Sequence, residues 1–389
     1  MKKLITMLGS TGSIGLSTLS IINKKKNYFK VHLLSANKNY SLIHKQIKKY
    51  KPVYFVVTDY KIYLKVKKNF KKNKTKILNE FKSISNLNKS DITISAIPGI
   101  SGLQPTIFMT QFSKKILLAN KEAIICGWNL IKAKAKKYNT KIIPVDSEHF
   151  SIFKLLHNHK INEISKVYLT ASGGPFLNMK ANQLNKIKPS QAFKHPKWKM
   201  GKKISIDSST LMNKMLELIE AQKLFNIPYH KLDILIHPDS LVHAIVDFKN
   251  GLKKFIYHET SMIIPIANAI FDGDLNIENF YRRKKNNKIE NLFFQKVDPK
   301  IFPVIKLKDK VNEYPSTPII INASNEILVD QFIKKKIPFL SIQKIILAIL
   351  GDKNYKKYAI KTTKNINQIN KIDLWAKSLT MKKIKLYNE

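Results

Sequence analysis

The stretch that decides the fold is "MLGSTGSIGLSTL", residues 7–19, in which glycines recur at a spacing of three. These glycines are Gly9, Gly12 and Gly15. Glycine in a loop lets the backbone approach a pyrophosphate closely, so a dinucleotide is the first candidate ligand. The pattern is GxxGxxG rather than the more usual GxGxxG, and on the motif alone a purely structural turn is an equal alternative.

The segments on either side of the glycines predict a strand and a helix. "KLITML" (3–8) is a short apolar run that suits a buried strand, and "IGLSTLSIINK" (14–24) has the apolar spacing of a helix. A helix N-terminus offers unpaired N–H groups to an anion. This context favours a loop that holds a dinucleotide pyrophosphate.

A second predicted strand, "KVHLLSA" (30–36), decides between the two nicotinamide dinucleotides. An NAD-binding protein places an acidic residue for the ribose hydroxyls about 20 residues beyond the loop. Ser35 stands there, followed closely by Asn37, Lys38 and Asn39. No carboxylate would repel a 2′-phosphate, and one lysine can pair with it. The sequence therefore favours NADPH over NADH.

Further apolar runs alternate with helical stretches, as a doubly wound parallel sheet requires. These runs are "YFVVTD" (54–59), "DITISAI" (91–97) and "KKILLA" (114–119). The predicted fold class is α/β, with an N-terminal Rossmann-like, doubly wound parallel sheet.

An acidic turn, Asp146-Ser147-Glu148, follows the apolar run "IIPV". Residues two apart on an extended chain point the same way, so both carboxylates are expected to face one spot. Two like charges held together are costly unless a cation or a proton lies between them. From this segment alone, an exposed acidic turn that opens a helix is an equal alternative.

A third carboxylate is predicted on a helix. "SIDSSTLMNKMLELIEAQKLF" (205–225) suggests a strand end followed by a helix, with Ser208 or its neighbour near the N-cap. Asn213 and Lys214 precede Glu217 by four and three residues and share its helix face. Three carboxylates without a nitrogen or sulfur cluster suit Mg²⁺ or Mn²⁺. A surface salt-bridge face is the alternative.

Two loops add candidates. "TASGGPF" (170–176) is a turn that can present N–H groups and a hydroxyl to an anion. "HPKWKMG" (195–201) is polar and contains Trp198, which is hard to bury there and is expected to belong to a cover that closes over a ligand. For His195, a solvated loop histidine is the alternative interpretation.

Composition limits the remaining possibilities. The 70 basic and 26 acidic residues give a formal net charge of +44, but Arg282 and Arg283 are the only arginines. Readers of base edges use the bidentate fork of arginine, so specific nucleic-acid binding is not expected. One cysteine, Cys126, permits no internal disulfide and is expected to be an apolar filler. No long apolar run or targeting segment is evident, so we expect a cytoplasmic protein without a membrane partner.

Taken in order, eight motifs resemble the 1-deoxy-D-xylulose 5-phosphate reductoisomerase family over nearly the whole chain. The HPxWxMG loop and the Asp-Ser-Glu-His turn are far more specific than a generic Rossmann signature. The motifs are "GSTGSIG" (9–15), "LLANKE" (117–122), "PVDSEH" (144–149), "SGGPF" (172–176), "HPKWKMGKKISIDS" (195–208), "MNKMLELIEA" (212–221), "LIHPDSLVH" (235–243) and "NASNE" (322–326).

The resemblance implies a reaction and its cofactors. That family converts 1-deoxy-D-xylulose 5-phosphate to 2-C-methyl-D-erythritol 4-phosphate, in the non-mevalonate isoprenoid pathway. It uses NADPH and a divalent metal, here expected to be Mg²⁺ or Mn²⁺ with Co²⁺ as a further candidate. The implied partners are a small phosphosugar substrate and a second copy of the chain in a homodimer.

The resemblance also implies a role for each site residue. Metal ligands would be Asp146, Glu148 and Glu217. Catalysis would involve Lys121, Glu148 and His195. The substrate would contact Ser147, Glu148, Ser172, His195, Trp198, Ser208, Asn213, Lys214 and Glu217. The cofactor would contact Gly9, Thr11, Gly12, Ser13, Ile14, Asn37, Lys38, Asn39, Asn120, Lys121, Glu122 and Gly201.

Some positions depart from the family pattern. Asn37 and Met215 replace glycines, and Lys202 stands where arginine is common. "HETSMIIPI" (258–266) replaces the usual Gly-x-Pro-Asp-Met-Arg-x-Pro-Ile block, with changes from Thr260 to Ile263. Met215 is expected to affect the tilt of Glu217, and these changes predict a slow enzyme rather than an inactive one.

The resemblance divides the chain into four parts. They are a Rossmann-like NADPH-binding domain (1–146), a central α/β catalytic and dimerisation domain (147–275), a linker (276–300) and a C-terminal helical domain (301–389). Two other functions stay open at this stage: a metal-free dehydrogenase of the semialdehyde type, which would not need three carboxylates, and a basic binding protein that has lost catalysis.

Overall fold

The computed structural model describes residues 2–85, 87–198, 200–282 and 292–388, and the chain forms two compact units. The first unit comprises Met1–Ala123, Asn129–Phe150 and Ser261–Asn287. The second comprises Ile124–Trp128, Ser151–Thr260 and Lys288–Glu389. The four-part division proposed from the sequence stays a prediction, and residues 283–291 of its linker lie outside the described residues.

The first unit is built on a seven-stranded sheet in which every pairing is parallel. Its strands are β1 (Lys3–Leu8), β2 (Phe29–Ala36), β3 (Tyr54–Val57), β4 (Lys76–Leu78), β5 (Ser90–Ser95), β6 (Ser113–Leu118) and β7 (Lys141–Pro144). Their order is β4-β3-β2-β1-β5-β6-β7. Strands β2 to β4 thus extend the sheet to one side of β1, and strands β5 to β7 extend it to the other side. The predicted doubly wound parallel sheet is confirmed.

The second unit contains a mixed five-stranded sheet of order β11-β10-β8-β9-β12. Its strands are β8 (Ile164–Ala171), β9 (Leu232–Ile236), β10 (Val242–Phe248), β11 (Lys253–Tyr257) and β12 (Gln295–Lys296). Only β8 and β9 run parallel among these pairs, and β10 pairs antiparallel with both β8 and β11.

Fourteen α-helices lie in the described residues. They are α1 (Ser13–Lys24), α2 (Tyr40–Tyr50), α3 (Tyr60–Asn69), α4 (Leu103–Met109), α5 (Lys121–Lys137), α6 (Ser147–Leu155), α7 (Pro189–Ala192), α8 (Lys202–Ser209), α9 (Met212–Phe225), α10 (Ile263–Phe271), α11 (Thr317–Ile333), α12 (Ser341–Leu350), α13 (Tyr355–Ala359) and α14 (Ile366–Asn388). Helices α11 to α14 give the C-terminal part its predicted helical character. No helix in this set has the length and apolarity to cross a bilayer.

Burial explains why the strands of the first sheet are recognisable in the sequence. Ile5, Met7 and Leu8 of β1 are fully buried, as are Phe55, Val56 and Val57 of β3. A parallel sheet is covered on both faces, so its strands are continuous apolar runs rather than alternating ones. The sheet also places the carboxyl ends of all seven strands on one edge, where ligands bind in folds of this kind.

Candidate functional site

The glycine loop, residues 9–15, joins β1 to α1 in the first unit. Helix α1 begins at Ser13 with Gly12 as its N-cap, and no side chain caps its first N–H groups. Gly12 and Ser13 are exposed, while Thr11 and Ile14 are half-buried. The loop therefore presents an uncapped helix N-terminus, with its partial positive charge, to an anion.

Close packing accounts for the first and last glycines of this loop. Gly9 has a φ of +83°, and a Cβ there would lie 2.7 Å from the carbonyl oxygen of Ala96. A Cβ on Gly15 would lie 2.4 Å from the carbonyl oxygen of Gly9. On Gly12 it would meet nothing closer than 3.5 Å. The turn thus requires glycine at positions 9 and 15, whereas a Cβ at position 12 would point into open space.

Buried hydrogen bonds hold the glycine loop in shape. The N–H groups of Gly9 and Ser10 donate to the carbonyl oxygen of Ser35 at 3.2 and 2.8 Å. The fully buried hydroxyl of Ser10 donates to Gln46 Oε1 at 2.6 Å, and Gln46 Nε2 donates to the carbonyl oxygen of Ser10 at 2.9 Å. The shape of the loop is therefore set by the chain itself.

The end of β2 carries three exposed polar residues, Asn37, Lys38 and Asn39. Asn37 Nδ2 donates to Thr58 Oγ1 at 2.8 Å, and Asn39 Oδ1 accepts from the N–H of Leu42 at 3.1 Å as the N-cap of α2. Lys38 supplies the positive charge of this group, and residues 35–41 contain no carboxylate.

The end of β6 carries Asn120 and Lys121. Asn120 is buried, its Oδ1 caps α5, and its Nδ2 donates to the carbonyl oxygens of Ile97 and Gly99. It thereby ties the segment after β5 to the start of α5. Lys121 and Glu122 form the first turn of that helix.

Lys121 reaches the acidic turn, residues 146–148, which follows β7. Its Nζ lies 3.4 Å from Asp146 Oδ2. Burial by itself raises the pKa of Asp146, but the Lys121 ammonium and His149 outweigh that effect and hold the pKa well below its usual range. Asp146 is therefore ionised at neutral pH, as a cation ligand must be.

The two carboxylates of the acidic turn lie close together. One oxygen of Asp146 lies within 4.8 Å of one oxygen of Glu148, and Ser147 Oγ donates to Glu148 Oε2 at 2.5 Å. The extended geometry expected for this segment is wrong, because β7 ends at Pro144 and α6 begins at Ser147. A first helical turn, rather than a strand, brings the carboxylates together.

His149 belongs to the same turn and was missed by the sequence reasoning. Its ring is fully buried, and its Nδ1 lies 3.8 Å from Asp146 Oδ1. The spacing of three residues between Asp146 and His149 was the available signal, because residues three apart meet on one helix face.

In the second unit, residues 205–209 lie in α8, so the predicted strand end is wrong. Gly201 is the N-cap of α8, and Lys203 Nζ lies 2.9 Å from Oδ2 of the buried Asp207, one turn later. That spacing of four residues is a helical signal that the sequence reasoning overlooked. Ser208 lies in the last turn of α8.

The polar face predicted on the following helix, α9, is present and buried. Lys214 Nζ donates to Glu217 Oε2 at 2.7 Å, with the two side chains 9% and 1% exposed, and Asn213 Nδ2 donates to Glu217 Oε1. A surface salt-bridge face, the alternative interpretation, is wrong. Met215 is fully buried, and Glu217 keeps both partners beside it.

The turn after β8 brings further predicted residues together. The N–H of Gly174 donates to Ser172 Oγ at 3.0 Å, and His195 Nε2 lies 3.0 Å from the same oxygen. A Cβ on Gly174 would lie 3.2 Å from the carbonyl oxygen of Ser208, so this turn packs against the end of α8. Ser172 and His195 thus contact each other directly, and the turn that carries Ser172 lies beside the backbone of Ser208.

The hydrogen bonds of His195 define its tautomer. Its Nδ1 accepts from the N–H groups of Trp198 at 2.9 Å and Lys197 at 3.2 Å, so Nε2 carries the proton and donates it to Ser172. Burial lowers the pKa of His195 to about 4, and the charge of Lys214 contributes. His195 is therefore neutral at about pH 7 and is not a solvated loop histidine.

The histidine loop, residues 195–198, has two further contacts within the second unit. Lys197 Nζ lies 3.0 Å from Asp239 Oδ1, in the segment before β10. The ring of Trp198 meets that of His243 edge-on, with 6.1 Å between centroids. Asp239 and His243 were not singled out as site residues, although both lie in the quoted motif 235–243.

These features define a class of protein: a dinucleotide-binding α/β protein of Rossmann type with an acidic turn at the carboxyl edge of its sheet. Three family models match the chain. They are "1-deoxy-D-xylulose 5-phosphate reductoisomerase" over residues 5–127, the "1-deoxy-D-xylulose 5-phosphate reductoisomerase C-terminal domain" over 142–225, and the "DXP reductoisomerase C-terminal domain" over 258–379. The chain belongs to the 1-deoxy-D-xylulose 5-phosphate reductoisomerase family, as the resemblance predicted.

Individual relatives agree over the full length. The 1-deoxy-D-xylulose 5-phosphate reductoisomerase of Pelagibacter ubique is 45% identical over 381 residues, covering 96% of this chain and 97% of its own. That of Clostridium novyi is 40% identical, covering 94% and 95%.

Solved structures of the same family also match. A crystal structure of DOX-P reductoisomerase in complex with NADPH, fosmidomycin and magnesium has a TM-score of 0.92 at 31% identity, covering 100% of this chain and 99% of that one. The enzyme from Zymomonas mobilis in complex with NADPH has a TM-score of 0.86 at 30% identity, covering 99% of both chains.

Proposed function

We propose that this chain converts 1-deoxy-D-xylulose 5-phosphate to 2-C-methyl-D-erythritol 4-phosphate, with NADPH as reductant and a divalent metal ion. The observation that carries the proposal is the acidic turn after β7, on the sheet edge that also carries the glycine loop. A dinucleotide-binding protein without a metal has no need of paired carboxylates there. Family members whose structures hold NADPH and magnesium support the proposal.

We assign NADPH to the glycine loop and the neighbouring strand ends. The uncapped N–H groups of α1 bind the pyrophosphate, and Lys38 pairs with the 2′-phosphate. The remaining cofactor assignments are those of the resemblance. Asn120 acts there by shaping the loop after β5, because its amide is engaged within the chain.

We assign the metal ion to Asp146, Glu148 and Glu217. Carboxylate oxygens are the ligands that Mg²⁺ and Mn²⁺ prefer, and Co²⁺ is a further candidate. When bound, the ion supplies Lewis-acid stabilisation of the negative charge that develops on substrate oxygens. Lys121 keeps Asp146 ionised, and Lys214 holds the buried Glu217 in one orientation.

We assign the substrate phosphate to Ser172, Ser208, Asn213 and Lys214. Ser172 Oγ accepts from two donors of the chain, so its own proton points away from them and is available to a phosphate oxygen. Lys214 adds a positive charge to this group. Anchoring the phosphate keeps the substrate from escaping while its carbon skeleton rearranges.

The proposed reaction also requires exclusion of water. Trp198 covers the carbon chain of the substrate, and His195 holds the histidine loop against Ser172. Lys121 is assigned a position between the nicotinamide and the substrate, and Ser147 is assigned to the substrate. NADPH, when bound at the glycine loop, would supply a hydride to the substrate, and these residues would keep solvent away from the site of transfer.

We propose a homodimer, as the resemblance implies, in the cytoplasm. β11 lies at the edge of its sheet, and its Phe255 and Tyr257 are 47% and 38% exposed on the same face. An edge strand with exposed aromatic side chains is a surface suited to pairing with a second copy. Light scattering of the purified chain measures its mass in solution and tests this assignment.

Oxidation of NADPH in the presence of 1-deoxy-D-xylulose 5-phosphate and Mg²⁺ tests the proposed activity. Turnover that stops with EDTA and returns with added Mg²⁺ supports it. Turnover of a semialdehyde that is indifferent to EDTA would instead identify a metal-free dehydrogenase. Absence of any turnover, together with salt-dependent RNA binding, would identify a basic binding protein.

A further inference from the structure

Three aromatic rings form a row in the second unit, ending at the histidine loop. The Trp198 ring contacts His243 edge-on, and the His243 ring stacks on His258 with 3.9 Å between centroids and 20° between planes. His243 and His258 are 1% and 9% exposed. His258 therefore stacks on the same imidazole that Trp198 contacts.

Backbone geometry fixes the two imidazoles relative to each other. His243 lies on β10 and His258 directly follows β11, where Val242 pairs with Tyr257. The N–H of His258 donates to the carbonyl oxygen of Leu241 at 2.9 Å. His243 Nε2 donates to the carbonyl oxygen of His258 at 3.3 Å. The stack is thus built into the antiparallel pair rather than into a loose loop.

The side chain of His258 is oriented by one further hydrogen bond. Its Nδ1 donates to the carbonyl oxygen of Glu259 at 2.8 Å, which places its proton in the ring plane and leaves the ring face to His243. Burial lowers the pKa of His258. A neutral imidazole held in one orientation presents a flat ring face, and the His243 ring that stacks on it loses freedom to rotate.

The stack of His258 on His243 is a side-chain contact added to the backbone pairing of the two strands. The strands pair through main-chain atoms, so the antiparallel pair itself does not require a ring at position 258. This buried imidazole lies in a row of rings that ends at Trp198, the residue assigned to cover the substrate.

We propose that His258 is a positioning residue that, by stacking on His243, fixes the surface against which Trp198 docks when the histidine loop covers the phosphosugar substrate. The inference rests on the proposed function for the identity of the substrate. His258 does not touch the reacting atoms. It acts through His243 and Trp198, and it favours the docked arrangement of the loop before substrate arrives.

Steady-state kinetics of His258→Gly provide the first test. The KM for 1-deoxy-D-xylulose 5-phosphate should rise about threefold to tenfold, the range that one aromatic pair contributes, with the KM for NADPH unchanged. His258→Phe, which keeps a ring, should restore the KM. His258→Leu fills the space without a ring and should behave like glycine, which also covers the case in which His258→Gly does not fold.

A matched control lies at the other end of β10. His159 packs its ring on Phe248 with 4.4 Å between centroids, so His159→Gly removes a comparable contact far along the same strand. It should leave the KM unchanged. An unchanged KM in both His258→Gly and His258→Leu, or an equal rise in His258→Phe, would overturn the proposal.

A double-mutant cycle separates positioning from a general loss of stability. If His258 acts through Trp198, His258→Gly should have no further effect on the substrate KM in a Trp198→Ala background. Additive effects would mean that the two residues act independently, and would overturn the proposal.

Tryptophan fluorescence gives a readout that does not depend on turnover. With Trp128 and Trp375 replaced by Phe, Trp198 is the remaining tryptophan. Without substrate, His258→Gly should raise its acrylamide quenching constant about twofold, as expected when a ring contact is lost. An unchanged quenching constant would overturn the positioning role, even if the variant remains active. If the quenching constant rises but the parent chain does not turn over 1-deoxy-D-xylulose 5-phosphate, the positioning role stands and the proposed function is rejected.

Discussion

The glycine loop of the first unit and the histidine loop of the second hold their shapes by different means. The glycine loop is fixed by main-chain hydrogen bonds to Ser35 and by the fully buried Ser10. The histidine loop is fixed by side chains, through the contacts of His195 with Ser172, Lys197 with Asp239 and Trp198 with His243.

This difference indicates how each loop serves its assigned ligand. A loop held by buried main-chain bonds is already formed before its ligand binds, and it recognises that ligand through its own N–H groups. A loop held by half-exposed side chains has contacts that can be exchanged for substrate contacts. We therefore expect substitutions in the first to act on folding or cofactor affinity, and substitutions in the second to act on substrate kinetics.

The largest effect is expected for Glu148→Gln, which removes a charge from the acidic turn and leaves the glycine loop intact. Loss of several kcal/mol of metal-dependent stabilisation should lower kcat about a thousandfold. NADPH affinity, measured by fluorescence titration, should stay nearly unchanged. Glu163→Gln, on an exposed side chain, is the control. Retained activity at ordinary Mg²⁺ concentration would remove Glu148 from the site.

A pair of glycine variants separates the structural part of the glycine loop from its ligand-facing part. Gly9→Ala should lower the Tm by several degrees, because it combines a positive φ with a contact of 2.7 Å. Gly12→Ala should leave the Tm within about 1 °C and weaken NADPH binding about tenfold or more, because its methyl group enters the space assigned to the pyrophosphate. Equal affinity for NADPH in Gly12→Ala and the parent would contradict that assignment.

A smaller effect is expected at the edge of the dinucleotide site. Lys38→Glu replaces the assigned partner of the 2′-phosphate with a repelling charge, so the preference for NADPH over NADH should fall about tenfold or invert. The ratio of kcat/KM for the two cofactors measures it. Lys45→Glu, on the neighbouring α2, controls for the change in net charge. Comparable efficiency of the parent with both cofactors would already contradict the assignment.

Trp198→Ala addresses the histidine loop directly. The substrate KM should rise and kcat should fall, each about threefold to tenfold, because the indole is assigned to cover the substrate and exclude water. The Tm should change little, as expected for a half-buried residue outside the core. A sharp fall in Tm with unchanged substrate kinetics would show that the indole is a core anchor.

Much of the fold could be predicted from the sequence, because continuous apolar runs and the glycine loop report directly on a buried parallel sheet. Short elements escaped detection. β4, three residues long, lies at the end of a lysine-rich stretch, and α8 was mistaken for a strand end. The ion pair of Lys203 with Asp207, four residues apart, indicates a helix there. In a chain so rich in lysine, several lysines lie four residues from a carboxylate, so this pair did not stand out in the sequence.

The site was less predictable where it depends on contacts between distant segments. Asp146, Glu148 and Glu217 could be proposed as metal ligands from the sequence, because their carboxylates suit a hard cation. The tautomer of His195 could not, because it depends on which N–H groups face Nδ1. Nor could the stack of His243 on His258, which requires the register of β10 with β11.

The smallest expected effect concerns pH and distinguishes the two loops once more, because the glycine loop contains no titratable side chain. In the unfolded chain the pKa of histidine is about 6.5, whereas in the folded chain burial lowers the pKa of His195 to about 4. Between these two pH values the unfolded chain binds a proton that the folded chain does not. The free energy of unfolding should therefore rise from about pH 4 to about pH 6.5 and lose this contribution again as the pH falls.

In His195→Gln the slope of the free energy of unfolding against pH, measured by urea titrations, should be shallower by up to about one proton. His159→Gln controls for the loss of an imidazole. An unchanged slope in His195→Gln would show that His195 is exposed to solvent and does not hold the histidine loop against Ser172.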